Sequence, residues 1–147
     1  MPLEIERKFL VKDSGFKDMA SHRVDICQGY LSRVPERTVR VRRLYDKGFI
    51  TVKSKNTGAV RHEFEYQVPV EDALEMLRMC EPPIIEKSRY IVEYDGLTWE
   101  VDEFHGAKEG LIVAEVELQA EDQTFNLPPF IDKEVTGDPA YYNSNLG

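Results

Sequence analysis

The stretch Glu4-Ile5-Glu6-Arg7-Lys8-Phe9-Leu10-Val11 decides how this chain is read. Its β-branched and aromatic residues suit a pleated, half-buried surface, so it predicts a strand. Side chains two apart share a strand face. Glu4, Glu6 and Lys8 therefore point one way, and Ile5, Arg7 and Phe9 the other. Two carboxylates spaced about 7 Å apart on one face are within reach of a divalent cation, and the neighbouring ammonium could hold an anion beside it.

The same arrangement recurs along the chain. Strands are predicted over 24–32, 38–45, 49–55, 60–68, 84–94, 97–104 and 111–119, most of them joined by turn signals such as Asp46-Lys47-Gly48, Asn56-Thr57-Gly58 and Asp95-Gly96. In the second of these strands Ile26, Gln28, Tyr30 and Ser32 share a face. A short helix or loop is expected around Phe16 and Met19. A second helix, with Ala73, Leu74, Met76 and Leu77 as its apolar stripe, follows Pro69 and stops at Pro82-Pro83. In the tail, Asp138-Pro139 has the form of a helix start. The sum is a mainly β, α+β chain in one domain over 1–147: about eight short strands in an antiparallel sheet or barrel.

Seven strands carry a like-charged pair at i, i+2: Glu4/Glu6, Arg40/Arg42, Lys53/Lys55, Glu63/Glu65, Lys87/Arg89, Glu100/Asp102 and Glu115/Glu117. One such pair is ordinary for the wet face of a sheet. Seven at one phase place like charges side by side where repulsion is highest. Curling the sheet into a barrel with these faces inward sets acidic strands against basic ones. With Lys8 and Arg61 the interior then holds eight of the 27 acids and eight of the 19 bases, and the formal net charge of −8 falls outside. Clustered carboxylates suit Mg²⁺ or Mn²⁺, and clustered Arg and Lys suit phosphoryl oxygens. Together they fit a metal-bridged polyphosphate. No GxxxxGK[ST] loop is present, so side chains would build the phosphate cradle.

Composition narrows the alternatives. The chain is 41% hydrophobic and 31% charged, with a pI near 4.9. That balance argues against a nucleic-acid-binding surface. No apolar run approaches a membrane span, and the charged N-terminus is not that of a signal peptide, so no membrane partner and a cytoplasmic location are expected. Cys27 and Cys80 read as buried thiols of a reducing compartment. His22, His62 and His105 are too scattered for a histidine metal site or a Ser/His/Asp triad. The apolar outer faces (Val39, Val41, Ile50, Val52, Phe64, Trp99, Val101) need cover, and one helix and a tail are thin cover, which makes a homodimer one solution.

The ordered set EIERKFLV, Gly29-Tyr30-Leu31, Arg40-x-Arg42, Thr51-Val52-Lys53, Arg61 with Glu63-x-Glu65, EKSRY at 86–90, WEVDEF at 99–104, AEVEL at 114–118, EVTGD at 134–138 and Tyr141-x-Asn143 resembles the CYTH superfamily of triphosphate tunnel metalloenzymes. Among its members the chain looks most like the short bacterial inorganic tripolyphosphatases. The resemblance implies an eight-stranded antiparallel β tunnel binding a small-molecule triphosphate with a divalent metal. It implies metal ligation by Glu4, Glu6, Glu115 and Glu117, with Asp102 and Glu100 nearby. Phosphate binding falls to Lys8, Arg40, Arg42, Lys53, Lys87 and Arg89, with Lys55 and Arg61 as weaker candidates, and Glu63 and Glu65 are further tunnel acids. A lysine–tyrosine pair that activates the attacking water in such relatives maps onto Lys87 and Tyr30; ordinary phosphate binding and strand packing are the alternatives. Lys133 to Asn143 match the family's C-terminal plug helix. The expected activity is metal-dependent hydrolysis of a triphosphate, inorganic tripolyphosphate first and nucleoside or thiamine triphosphate next. A class IV-type adenylate cyclase and a non-catalytic polyphosphate- or nucleotide-binding module stand as alternatives.

Overall fold

Alternation of charged and apolar side chains, with tight turns between, folds the chain into a closed antiparallel barrel. The computed structural model describes residues 3–141. The strands are β1 (Leu3–Val11), β2 (His22–Ser32), β3 (Arg37–Leu44), β4 (Lys47–Ser54), β5 (Val60–Val68), β6 (Glu81–Tyr94), β7 (Leu97–Phe104), β8 (Ile112–Glu117) and β9 (Ile131–Glu134), with helices α1 (Phe16–Met19) and α2 (Val70–Met79). Eight strands run in the order β5-β4-β3-β2-β6-β7-β8-β1, and β1 pairs back with β5 to close the ring. The closing seam is short: Leu3, Glu4 and Ile5 lie opposite His62, Arg61 and Val60.

The C-terminal segment departs from expectation. Ile131–Glu134 is a strand on β1, not the start of a plug helix, and Pro139–Tyr141 form a single 3-10 turn. The rest of the expected helix, from 142 on, lies outside the described residues. The physical reason is an open strand edge. Beyond Ile5, β5 leaves β1, and the tail takes over its backbone: Lys8 N–H donates to Thr136 Oγ1 (2.9 Å) and Val135 N–H donates to Lys8 O (2.8 Å). Ile131 and Val135 are buried in the process. Two turns also differ in detail. The β3–β4 turn is Tyr45-Asp46, one residue earlier than expected, and Gly48 sits inside β4. A Cβ at Gly48 would come within 2.6 Å of Ala73 Cβ, so glycine there lets α2 approach the sheet. Pro82 and Pro83 begin β6 instead of merely stopping α2. Asp95 and Gly96 both have positive φ, the mirror-image hairpin turn their pairing predicts.

The outer wall is covered mostly by the chain itself. Trp99 and Val101 of β7, Val116 of β8 and Phe9 of β1 lie under Phe16 of α1 and Leu118, Phe125, Phe130 and Ile131 of the tail. Phe9, Trp99 and Phe125 meet at ring separations of 5.6–6.3 Å. On the other side Val41 and Ile50 lie under Ala73, Met76, Leu77 and Cys80 of α2 and its end, while Leu74 turns outward. Val52 and Phe64 alone among the named outer residues remain exposed, at 39% and 40%.

Candidate active site

Inward-facing side chains enclose a cavity of about 430 Å³. From β1 come Glu4, Glu6 and Lys8; from β3, Arg40 and Arg42; from β4, Lys53. Strand β5 adds Arg61, Glu63 and Glu65, β6 adds Arg89, β7 adds Glu100, and β8 adds Glu115 and Glu117. Leu3 is the one apolar residue of this lining. The register explains the grouping of the acids. β1 and β8, from opposite ends of the chain, pair with Glu6 opposite Glu117 and Lys8 opposite Glu115, while Glu115 also faces Glu100 on β7.

Three predicted charges do not line the cavity. Lys55 lies past the end of β4 and is exposed. Lys87 and Asp102 face inward but one step deeper, where the barrel turns apolar: Tyr30, Ile85, Phe104 and Val113 pack together below them. Lys87 also borders a second cavity, of about 390 Å³, with Arg23, Asp25, Arg43 and Glu86. Lys87 is opposite Ile26 on β2, and Tyr30 is four residues further along past a bulge after Gln28; both side chains reach Phe104, which packs with Tyr30 and lies 5.4 Å from Lys87 Nζ. The charged neighbours of Tyr30 are Arg40, Lys8, Arg61 and Arg33; those of Lys87 are Asp102, Arg89 and Glu115.

Opposite charges pair across the cavity. Glu4 Oε1 lies 3.3 Å from Arg61 Nε and 3.5 Å from Lys53 Nζ. Burial pushes its pKa up, but Lys53, a hydrogen bond with Glu63 and Arg61 more than offset this and leave it at about 2. Glu63, buried and sharing that hydrogen bond, is pushed up to about 7. Glu65 accepts from Arg42 (2.9 Å) and Thr51 (3.1 Å). Lys8 Nζ donates to Tyr141 O (2.9 Å) and lies 3.5 Å from Glu115. Burial, with Glu115 and Glu4 close by, raises Glu6 well above the carboxylate range, while Glu115 is lowered by Lys8 and by its hydrogen bond with Glu6. Glu6 keeps some exposure to the cavity, yet protein surrounds it on every other side, so crowding governs its titration. Burial and then Arg40 and Arg89 pull Arg42 down to about 10.

Among the described residues no three acids stand at metal-binding distances. The donors nevertheless fit a hard divalent cation in kind. Glu4, Glu6, Glu115 and Glu117 are oxygen donors lining one cavity, close enough that burial and then Glu115 and Glu4 raise Glu6, and a divalent cation neutralises such a cluster.

One residue shares the strand face of Ile26 and Tyr30 by sequence and has no role assigned from it. Gln28 is wholly buried, and its amide O and N have no partner among the described residues. The signal was available: a polar side chain between Ile26 and Tyr30 on an inward face needs a reason to be there.

The chain is similar in sequence to an inorganic triphosphatase of Acetivibrio thermocellus, 50% identical with 99% of this chain and 94% of the relative covered. It is also similar to an inorganic triphosphatase of Nitrosomonas europaea, 38% identical over 97% of this chain and 95% of the relative. A solved crystal structure of an inorganic triphosphatase superposes with a TM-score of 0.71 at 36% identity, over 97% of this chain and 96% of that one. Residues 2–142 match the CYTH domain model. A tunnel of opposed charges, acids joined from both ends of the chain, and a family match spanning nearly its whole length make this chain a member of the CYTH family.

Proposed function

We propose that the chain is a divalent-metal-dependent triphosphatase that binds a linear triphosphate in the tunnel and hydrolyses a terminal phosphoanhydride bond. Inorganic tripolyphosphate is the preferred substrate. The observation that carries this reading is the cavity lining, which is charged on every wall and offers no aromatic face for a base.

Arg40, Arg42, Lys53, Arg61, Arg89 and Lys8 would hold phosphoryl oxygens, with the arginines giving forked contacts. Glu4, Glu6, Glu115 and Glu117, with Glu100 at the rim, would hold Mg²⁺ or Mn²⁺, which supplies charge neutralisation on the phosphoryl oxygens and on the leaving group. Glu63 and Glu65 hold Lys53 and Arg42 in place until substrate arrives. Lys87 is proposed to take a proton from the attacking water. Burial and Arg89 bring its pKa from 10.5 to about 8 against the pull of Asp102, which suits a base working near neutrality. Tyr30, kept a neutral phenol by burial and set near Lys8 and Arg40, is proposed to donate to a phosphoryl oxygen instead of pairing with Lys87.

The working place is proposed to be the cytoplasm. Cys27 and Cys80 are free thiols, and no helix among the described residues is long and apolar enough to cross a membrane. The test of function is phosphate release from tripolyphosphate, ATP and thiamine triphosphate side by side, with Mg²⁺, Mn²⁺ or a chelator. Tripolyphosphate is expected to turn over fastest and only with metal. No metal-dependent release from any of the three, or cyclic AMP and pyrophosphate from ATP, would overturn the reading.

A further inference from the structure

Asp102 carries the same charge as the acids around it but keeps different company. Its Oδ1 accepts from Arg89 Nε at 2.7 Å, and its Oδ2 accepts from Arg89 Nη2 at 2.9 Å. Lys87 Nζ lies 2.7 Å from the same Oδ2 as an ion pair. An aspartate offers about four acceptor sites, and cations of the chain itself engage three of them. Asp102 and Lys87 have side chains 4% and 0% exposed, and neither lines the cavity. Glu100, two residues earlier on the same face, does line it, with a side chain 42% exposed. Glu6 and Glu117 stand opposite each other on β1 and β8, and Glu115, one step further along β8, stands opposite Lys8 on one side and Glu100 on the other. Asp102 is one step below, between Arg89 on β6 and Val113 on β8, with Phe104 next along its own strand face.

We propose that Asp102 is a positioning residue, holding Lys87 and Arg89 side by side beneath the cavity, and is not one of the metal-binding carboxylates. Its chemistry differs from theirs in one respect that matters. Glu6 and Glu115 crowd one another and gain from a cation, and Glu4, though 3.3–3.5 Å from Arg61 and Lys53, makes those contacts in the cavity itself. Asp102 already has two cations, both at 2.7–2.9 Å, and giving its oxygens to a metal would leave Lys87 a buried unpaired charge and Arg89 with Glu100 alone. Conversely, its carboxylate is what allows a buried ammonium and a buried guanidinium to sit as neighbours on one strand face. The fork on Arg89 sets the plane of the carboxylate, and Oδ2 then sets where Lys87 ends.

This inference rests on the triphosphatase reading for its kinetic arm and is independent of it for its binding arm. Full-length Asp102→Asn and Asp102→Glu are compared with the native chain and with Glu6→Gln. Mn²⁺ binding is measured calorimetrically without substrate, and kcat and KM are measured for tripolyphosphate at saturating Mn²⁺. Both Asp102 variants are expected to bind Mn²⁺ like the native chain, while Glu6→Gln binds it more weakly. In both, kcat is expected to fall roughly 10- to 100-fold, the scale of misplacing a reacting group by about 1 Å, with a smaller rise in KM. Weakened Mn²⁺ binding in Asp102→Asn that Asp102→Glu restores would make Asp102 a metal ligand and overturn the inference. Native kcat in both variants would reduce the ion pair to a structural tie and overturn it as well. Asp102→Glu keeps the buried charge, so its kcat decides alone where Asp102→Asn does not fold. A native chain that binds Mn²⁺ but leaves tripolyphosphate intact would sink the triphosphatase reading, and the Mn²⁺ affinities of the variants would still report on Asp102.

Discussion

The two sides of the barrel wall follow opposite rules. On β7, Trp99 and Val101 point out and are fully buried, while Glu100 and Asp102 point in and are charged. Most soluble barrels put apolar residues inside; here the principal apolar core lies outside the ring, between the wall and the α1 and tail segments laid over it. The difference shows a division of labour. The outer core supplies burial free energy, about 1.5–3 kcal/mol for each large side chain. The inner face spends stability on like charges held together for a ligand that needs them.

That division predicts opposite responses to substitution. The largest effect is expected outside. Trp99→Ala removes the ring that joins Phe9 and Phe125 and should cost about 3–5 kcal/mol, read from denaturant unfolding, while the protein that remains folded keeps its tripolyphosphate turnover. A loss below about 1 kcal/mol would show that the outer cluster is not the stabilising core.

Inside, Glu6→Gln should do the reverse. Phosphate release is expected to fall on the order of 100-fold, about 2.7 kcal/mol of barrier. Thermal stability should stay level or rise, because Glu6 is pushed up by burial, Glu115 and Glu4, so its charge is unwelcome there. A destabilised Glu6→Gln protein with normal turnover would erase the contrast.

The third response is a pH dependence. Lys87 has a folded pKa of about 8 against 10.5 ordinarily, so between these values the unfolded chain binds more protons than the folded one. Stability should therefore rise as pH climbs from about 8 to 10.5, with the full cost of burying the ammonium present below 8. Lys87→Met should be more stable at neutral pH and should flatten that rise in a pH series of melting curves.

Much of this was legible in the sequence because strand periodicity is a local property. The phase of Glu4/Glu6, Arg40/Arg42 and Glu115/Glu117 assigns each to one face without any knowledge of the fold. A run of like-charged pairs at one phase then has few physical outcomes, and the closed tunnel is one that balances them. The tail was harder. Ile131–Glu134 is too short and too polar to announce a strand, and it forms only because β5 leaves the edge of β1 open beside Lys8. Lys87 and Tyr30 illustrate the same limit: their shared face could be read, but their four-residue offset depends on how β2 and β6 align.

By itself the sequence determined which side chains face inward and that their charges oppose one another, since alternation along a strand is set by backbone geometry. The tertiary structure alone decided depth. Glu100 and Asp102 are the same chemistry two residues apart, yet one lines the cavity and the other is enclosed by Lys87 and Arg89 above an apolar floor. That distinction comes from strand register and barrel closure, which set the level each residue occupies relative to strands far away in the chain.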